Sequence, residues 1–132
     1  MDTVELAMSP HPTVRRRVLV VDDNVDLAQV LGEVIRADEA LEYVGYVRSG
    51  AEAIEKARLG AADVFLLDLS LSDGSGFHIL ERLRNDAPAI KVIIHTGHAL
   101  EGLGDLLKRS GAAGYVVKDG NTEKLLSAIR SA

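Results

Sequence analysis

Short apolar runs alternate with longer amphipathic segments along this chain from residue 18 onward. The first run, 18–21, is apolar without interruption, which is typical of a strand buried on both faces. Further strands are predicted at 42–47, 63–67, 91–95 and 114–117. A segment with apolar residues at helical spacing follows each strand, and Leu27, Leu31 and Ile35 show this pattern after the first.

Capping residues mark the starts of three of the five predicted helices. Asn24 and Asn121 precede the first and the last helix, and Ser49 with Glu52 forms a capping-box pattern before the second. The third and fourth helices are marked by their apolar positions, which are Phe77, Leu80, Leu83 and then Leu103, Leu106, Leu107. The chain is therefore predicted to repeat a strand-helix unit five times.

Five strand-helix units predict a single α/β domain with a doubly wound, five-stranded parallel sheet. Parallel strands need crossover connections, and these helices would cover both faces of the sheet. Residues 1–15 lack periodicity and are predicted to be a flexible N-terminal tail, so that the domain covers 16–132.

Composition narrows the classes of function. The 132 residues contain 47% hydrophobic and 27% charged residues, as in globular domains, and no cysteine, which excludes disulfides and thiolate metal sites. The formal net charge of −5 argues against a nucleic-acid-binding surface. No apolar run approaches the roughly 20 residues that cross a bilayer, and no signal-peptide pattern opens the chain, so we expect a cytoplasmic protein without membrane contact.

Polar residues follow four of the five predicted strands. Asp22 and Asp23 follow the first strand, Asp68 the third, Thr96 the fourth and Lys118 the fifth. Ligands of open parallel sheets bind beyond the carboxyl ends of the strands, so these side chains are expected to meet at one edge. An isolated aspartate after a strand is more often structural, but the combination of five positions favours a functional site.

The residue types indicate phosphoryl chemistry at this edge. Three neighbouring carboxylates repel one another unless a cation is present, and an all-oxygen acidic pocket suits Mg²⁺. Mg²⁺ and Lys118 together would accommodate a phosphoryl group on one carboxylate. Phosphoryl transfer depends mainly on positioning and charge neutralisation, and an aspartate is a competent nucleophile for it.

Four motifs resemble the receiver domain of bacterial response regulators, a flavodoxin-like fold of two-component signalling. V-L-V-V-D-D-N at 18–24 resembles its first strand and acidic pair, and D-V-F-L-L-D-L-S-L-S-D-G-S-G at 63–76 its phosphoacceptor strand and loop. I-I-H-T-G-H at 93–98 resembles its fourth strand, and G-A-A-G-Y-V-V-K-D at 111–119 its fifth. The resemblance covers nearly all of the chain beyond the tail.

The resemblance implies a role for each matching residue. Asp68 would accept a phosphoryl group from a histidine of a sensor kinase or phosphotransfer protein. Asp22, Asp23, Asp68 and the main-chain carbonyl of Ser70 would hold Mg²⁺. The chain would then be a phosphoprotein switch and not an enzyme, apart from its own Mg²⁺-dependent phosphorylation and dephosphorylation.

Three further roles follow from the same resemblance. Lys118 would contact the phosphoryl oxygens. Thr96 would hydrogen-bond the phosphoryl group, and Tyr115 would turn inward behind it. Thr96 and Tyr115 would thereby form the switch that changes a partner-binding face.

Three positions depart from the family pattern. Ser72 stands four residues after the acceptor, where the family often has proline, and we expect a looser loop with the same chemistry. Asp119 follows Lys118 where the family often has a cis proline, and a cis bond before another residue costs about 3 kcal/mol, so the geometry at Lys118 is left open. His98 occupies a variable position near the expected phosphoryl site, whereas His95 is expected to be a packed strand residue.

Two other functions are compatible with such a sheet. A phosphohydrolase with an aspartate nucleophile usually needs a second acid two residues later, and here that position is Ser70. An interaction module that is never phosphorylated would not need the five polar positions.

The resemblance to receiver domains places the output on the fourth helix, fifth strand and fifth helix, through a phosphorylation-dependent homodimer or a separate protein target. Because the sequence ends directly after the fifth helix, we expect a stand-alone domain, the alternative being a part excised from a longer DNA-binding regulator.

Overall fold

Strands and helices alternate along the whole of the described chain. The computed structural model describes residues 15–73, 76–97 and 104–132. Its strands are β1 (Arg16–Val21), β2 (Leu41–Val47), β3 (Val64–Leu67), β4 (Lys91–Thr96) and β5 (Gly114–Val117), and its helices are α1 (Val25–Arg36), α2 (Gly50–Arg58), α3 (Gly76–Asp86), α4 (Gly104–Arg109) and α5 (Thr122–Ser131). The predictions for residues 1–14, Gly74, His98 and Leu103 concern positions outside the described residues.

The strands form one parallel sheet in the order β2-β1-β3-β4-β5, which confirms the predicted fold class. The order reverses direction beside β1, since the chain first adds β2 on one side and then β3, β4 and β5 on the other. The carboxyl ends of β1 and β3 are therefore adjacent at the centre of the sheet, where ligands of such folds bind.

Each face of the sheet has its own hydrophobic core. Leu19 and Val21 of β1 point to one face, and Val18 and Val20 point to the other, because successive side chains of a strand alternate. Helices α2, α3 and α4 cover the first face and contribute buried residues that include Ala53, Ile79, Leu80, Leu83 and Leu107. Helices α1 and α5 cover the second with Ala28, Leu31, Ile35, Leu125 and Ile129. Burial on both faces explains why the central strands are continuously apolar.

The predicted caps are present at three helices. The side chains of Asn24, Ser49 and Asn121 each accept a hydrogen bond from the N–H three residues later, at 3.1, 3.3 and 3.0 Å. Each bond satisfies one of the free N–H groups at a helix start. The three helices therefore begin where the sequence pattern predicts.

The apolar pattern overstates the burial of several helical residues. Phe77 and Leu106 are exposed, although each lies in the apolar pattern that predicts its helix, and Val30 of α1 is exposed as well. Residues on the helix faces that meet the sheet, such as Leu31 and Leu107, are buried. Within the described residues, no helix is long and apolar enough to cross a membrane.

Candidate functional site

Two buried carboxylates lie side by side at the centre of the sheet edge. Asp22 directly follows β1 and Asp68 directly follows β3, and only 2% and 4% of their surfaces are exposed. Their N–H groups continue the strand pairing, from Asp22 to the carbonyl of Val47 and from Asp68 to the carbonyl of Val21, both at 3.0 Å. The strand ladders thus hold both residues in place, as the position of the carboxyl ends predicted.

Asp23 completes a group of three carboxylates. One oxygen from each of Asp22, Asp23 and Asp68 lies within 4.8 Å of the others, and Asp23 is only half-buried. The oxygens are close enough to share one cation, and they would repel one another strongly without a positive charge nearby.

Lys118 supplies such a charge from the end of β5. Its Nζ lies 2.9 Å from Oδ2 of Asp22 and 3.3 Å from Oδ2 of Asp68, and its side chain is 20% exposed. With three carboxylates at −1 each and one ammonium at +1, the site carries a formal charge of −2. A divalent cation would bring that charge to zero.

The donor set fits Mg²⁺. The three acidic groups offer only oxygen ligands, which hard divalent cations prefer, and the half-buried position of Asp23 leaves room for bound water. Among the described residues this group contains no histidine or sulfur ligand that would favour a softer metal.

The backbone around Lys118 joins the ends of β4 and β5. The N–H of Lys118 donates to the carbonyl of Thr96 at 2.6 Å, and the next N–H, from Asp119, donates to the carbonyl of Val117 at 2.8 Å. The described residues contain no cis peptide bond, so Lys118 reaches the acidic group with a trans bond to Asp119. This settles the geometry that the sequence left open.

Thr96 and Tyr115 lie on the same face of the sheet. Thr96 is 2% exposed at the end of β4, and Tyr115 is paired with Ile94, two residues before Thr96. Since alternate residues of a strand share a face, both side chains project toward the face that α4 covers. Tyr115 is 42% exposed, so a large part of this residue faces solvent in this structure.

Backbone N–H groups anchor all three carboxylates. Oδ1 of Asp22 accepts from the N–H of Asn24 at 2.9 Å, and Oδ1 of Asp68 accepts from the N–H of Ser70 at 2.8 Å. Oδ2 of Asp23 accepts from the N–H of Ser72 at 2.7 Å. The role of the main-chain carbonyl of Ser70 stays a prediction.

The contact of Ser72 was not anticipated. The hydroxyl of Ser72, and then its N–H, lower the pKa of Asp23 below its usual value, which favours the ionised carboxylate. A serine at this position predicts a looser loop, but this bond fastens the loop to Asp23, in the segment that follows β1. The sequence contained one signal for this contact, the serine in place of proline, because serine has a backbone N–H that proline lacks and that can donate a hydrogen bond.

His95 lies beside the site but projects to the opposite face. It is 6% exposed, and its burial, followed by the charge of Lys118, lowers its pKa from 6.5 to about 4. It is therefore neutral near pH 7, and its Nδ1 has no hydrogen-bond partner within the described part of the chain. The structure agrees with its expected place as a packed strand residue.

Comparison with known proteins decides the family. The response regulator receiver domain matches residues 18–130.

This chain belongs to the response regulator receiver domain family.

Curated relatives of this receiver domain include whole response regulators. The nitrate/nitrite response regulator protein NarP of Escherichia coli K12 is 35% identical over 87% of this chain and 54% of its own length. A protein-glutamate methylesterase/protein-glutamine glutaminase of Syntrophomonas wolfei is 34% identical over 79% of this chain and 30% of its own length. The chain thus spans about half of the first relative and a smaller part of the second.

Solved structures of receiver domains share the fold over most of their length. The response regulator domain of Thermotoga maritima CheB superposes with a TM-score of 0.83 at 29% identity, covering 90% of this chain and 96% of that one. The receiver domain of a LuxO repressor protein from Vibrio parahaemolyticus superposes with a TM-score of 0.81 at 28% identity, covering 89% of each chain. The receiver fold is therefore shown by both sequence and structure.

Proposed function

We propose that this receiver domain is a phosphorelay switch whose phosphoacceptor is Asp68. The observation that carries the proposal is the position of Asp68, buried beside Asp22 and ion-paired with the ammonium of Lys118. Of the three carboxylates in the group, only Asp68 is buried at the end of β3 and begins the loop that follows this strand. The donor would be a phosphohistidine of a sensor kinase or of a phosphotransfer protein.

The phosphoryl transfer would be a displacement at phosphorus. A carboxylate oxygen of Asp68 forms a bond to phosphorus, and the bond from phosphorus to the imidazole nitrogen of the donor breaks. Lys118, already 3.3 Å from Oδ2 of Asp68, is placed to pair with the phosphoryl oxygens and limit the growth of negative charge. The leaving imidazole keeps the electron pair of the broken bond.

Asp22, Asp23, Asp68 and the main-chain carbonyl of Ser70 would hold Mg²⁺. The bound ion supplies charge neutralisation for the incoming phosphoryl group. The chain itself orients the ligands, since backbone N–H groups fix the three carboxylates at 2.7 to 2.9 Å. We propose no further catalytic activity for residues 16–132, although one relative, of which this chain covers 30%, is a protein-glutamate methylesterase/protein-glutamine glutaminase.

The phosphorylation experiment has three arms. Purified protein is incubated with acetyl phosphate and Mg²⁺, and the phosphoryl group is detected by intact mass. The wild type is expected to gain one phosphoryl group, whereas Asp68→Asn and the wild type in excess chelator gain none. Labelling of Asp68→Asn to the same extent would show that another residue is the acceptor, and would refute the proposal.

The switch would pass from Thr96 to Tyr115. Phosphorylation offers the hydroxyl of Thr96 a charge-assisted hydrogen bond, about twice as strong as a neutral one. Movement of Thr96 would make room for the ring of Tyr115, a residue on the same face that is 42% exposed in this structure. Phosphorylation should shift the NMR signals of Tyr115 in the wild type and much less in Thr96→Ala. Equal shifts in both proteins would rule this route out.

The output surface would consist of α4, β5 and α5. Leu106 and Tyr115 are exposed there and offer apolar contact area. We propose that this surface binds a second copy of the chain or a separate protein target, and that it contacts neither nucleic acid nor membrane. The binding would take place in the cytoplasm. Sedimentation with and without a phosphoryl mimic tests the dimer, and a change of mass is the expected result if the partner is a second copy.

A further inference from the structure

We propose that Ser72 positions the metal-binding carboxylate Asp23 through its backbone N–H, an inference that rests on the proposed function of the site. The N–H of Ser72 donates to Oδ2 of Asp23 at 2.7 Å, across 49 positions of sequence. This is the shortest of the three bonds that anchor the acidic group. Ser72 itself would not touch the ion or the phosphoryl group, so it is a positioning residue.

Asp23 needs such support more than its two neighbours. Asp22 and Asp68 are buried and paired with Lys118, whereas Asp23 is half-buried and forms no ion pair among the described residues. A half-exposed aspartate can occupy several rotamers, and a cation that needs one of them must order the side chain on binding. The bond from Ser72 orders Asp23 beforehand.

The loop that carries Ser72 is itself fastened. The N–H of Ser70 bonds Asp68 at 2.8 Å, and Oδ2 of Asp73 accepts from the N–H of Gly50, the first residue of α2, at 3.3 Å. The donor N–H therefore lies between two further attachments, one on each side of it in sequence. A donor held in this way orients its acceptor more strictly than a donor on a free loop.

Serine at this position makes the contact possible. A proline here, which the family often has, possesses no N–H and could not donate to Asp23. The bond between Ser72 and Asp23 is thus a property of this chain that a proline-containing receiver would have to replace by another means.

Two substitutions separate the N–H from the hydroxyl. Ser72→Ala keeps the N–H, and Ser72→Pro removes both groups. The Mg²⁺ dissociation constant of the unphosphorylated protein is measured from amide chemical shifts, with thermal unfolding as the check on folding. We expect Ser72→Pro to bind Mg²⁺ about tenfold more weakly than the wild type, as is usual when a group that orients a metal ligand is lost, and more weakly than Ser72→Ala.

The outcomes separate this inference from the proposed function. If the wild type binds no Mg²⁺, the proposed function fails and the inference fails with it. If the wild type binds Mg²⁺ and Ser72→Pro binds it equally well, or no more weakly than Ser72→Ala, the inference alone is overturned.

Hydrogen exchange tests the contact without a proline variant. Ser72 is an exposed residue, so protection of its amide should depend on the bond to Asp23. In metal-free protein, the amide proton of Ser72 should exchange at least about tenfold faster in Asp23→Ala than in the wild type. The reason is that the exposed amide loses its only described acceptor. Asp26→Ala, at an exposed acid in α1, should leave the rate unchanged. Equal rates in Asp23→Ala and the wild type would overturn the inference.

Discussion

Acidification from about pH 7.5 to about pH 5 should destabilise this receiver domain through His95. The side chain is buried on the sheet face that α1 and α5 cover, and burial and Lys118 both oppose its positive charge. The folded state therefore keeps His95 neutral where the unfolded chain already binds a proton. Because the unfolded state binds more protons between pH 6.5 and about 4, the free energy of unfolding falls as the pH falls through that window.

The pKa difference sets the size of the effect. A pKa lowered from 6.5 to about 4 corresponds to roughly 3 kcal/mol over the whole window, at about 1.4 kcal/mol for each pH unit. At about pH 5 the loss is about 2 kcal/mol, because the unfolded histidine is then almost fully protonated and the folded one is not. A typical domain has a free energy of unfolding of roughly 5–15 kcal/mol, so this loss is a sizeable part of it.

Urea unfolding of the wild type and His95→Met isolates this contribution. Methionine is neutral at every pH and adapts to irregular core space, and the carboxylates that also titrate are common to both proteins. When the pH is lowered from about 7.5 to about 5, the wild type should lose about 2 kcal/mol more unfolding free energy than His95→Met does. His78→Met, at an exposed position of α3, serves as the control and should follow the wild type. A difference independent of pH would refute the reasoning.

Two further substitutions test the architecture of the site. Lys118→Met leaves the buried carboxylate of Asp22 without its ion-pair partner and should lower the unfolding free energy by about 3 kcal/mol in metal-free thermal or urea unfolding, with part of the loss recovered on adding Mg²⁺. Gly76→Ala would place a Cβ in steric overlap with the carbonyl oxygen of Leu69 and should cost about 2 kcal/mol by the same measurement, whereas Gly97→Ala, where the space is open, should cost less than about 1 kcal/mol. Wild-type stability in Lys118→Met or in Gly76→Ala would contradict the respective packing.

The fold could be predicted because the local signals agree with one another. The central strands are buried on both faces and read as continuous apolar runs, and the caps Asn24, Ser49 and Asn121 mark helix starts. The acidic site could be predicted as well, since the carboxyl ends of parallel strands meet at one edge. The structure brings together Asp22, Asp68 and Lys118 from three separate strands, as that rule requires.

The remaining features depend on tertiary geometry that periodicity does not encode. The bond from Ser72 to Asp23 requires a particular path of the loop after β3. The exposure of Leu106 depends on how the short helix α4 lies on the sheet, which the helical spacing of its apolar residues does not determine. The exposure of Tyr115 depends on the rotamer of one side chain, which the apolar pattern does not determine.

The acceptor residue can be located directly by chemical trapping. The protein is phosphorylated with acetyl phosphate and Mg²⁺ and then treated with borohydride, which reduces an acyl phosphate of aspartate to homoserine with release of phosphate. Peptide mass spectrometry then identifies the converted position. We predict homoserine at position 68 in the phosphorylated wild type and none in protein that was not phosphorylated. Homoserine at Asp22 or Asp23, or a stable phosphoryl group without any homoserine, would contradict the assignment of Asp68 as the phosphoacceptor.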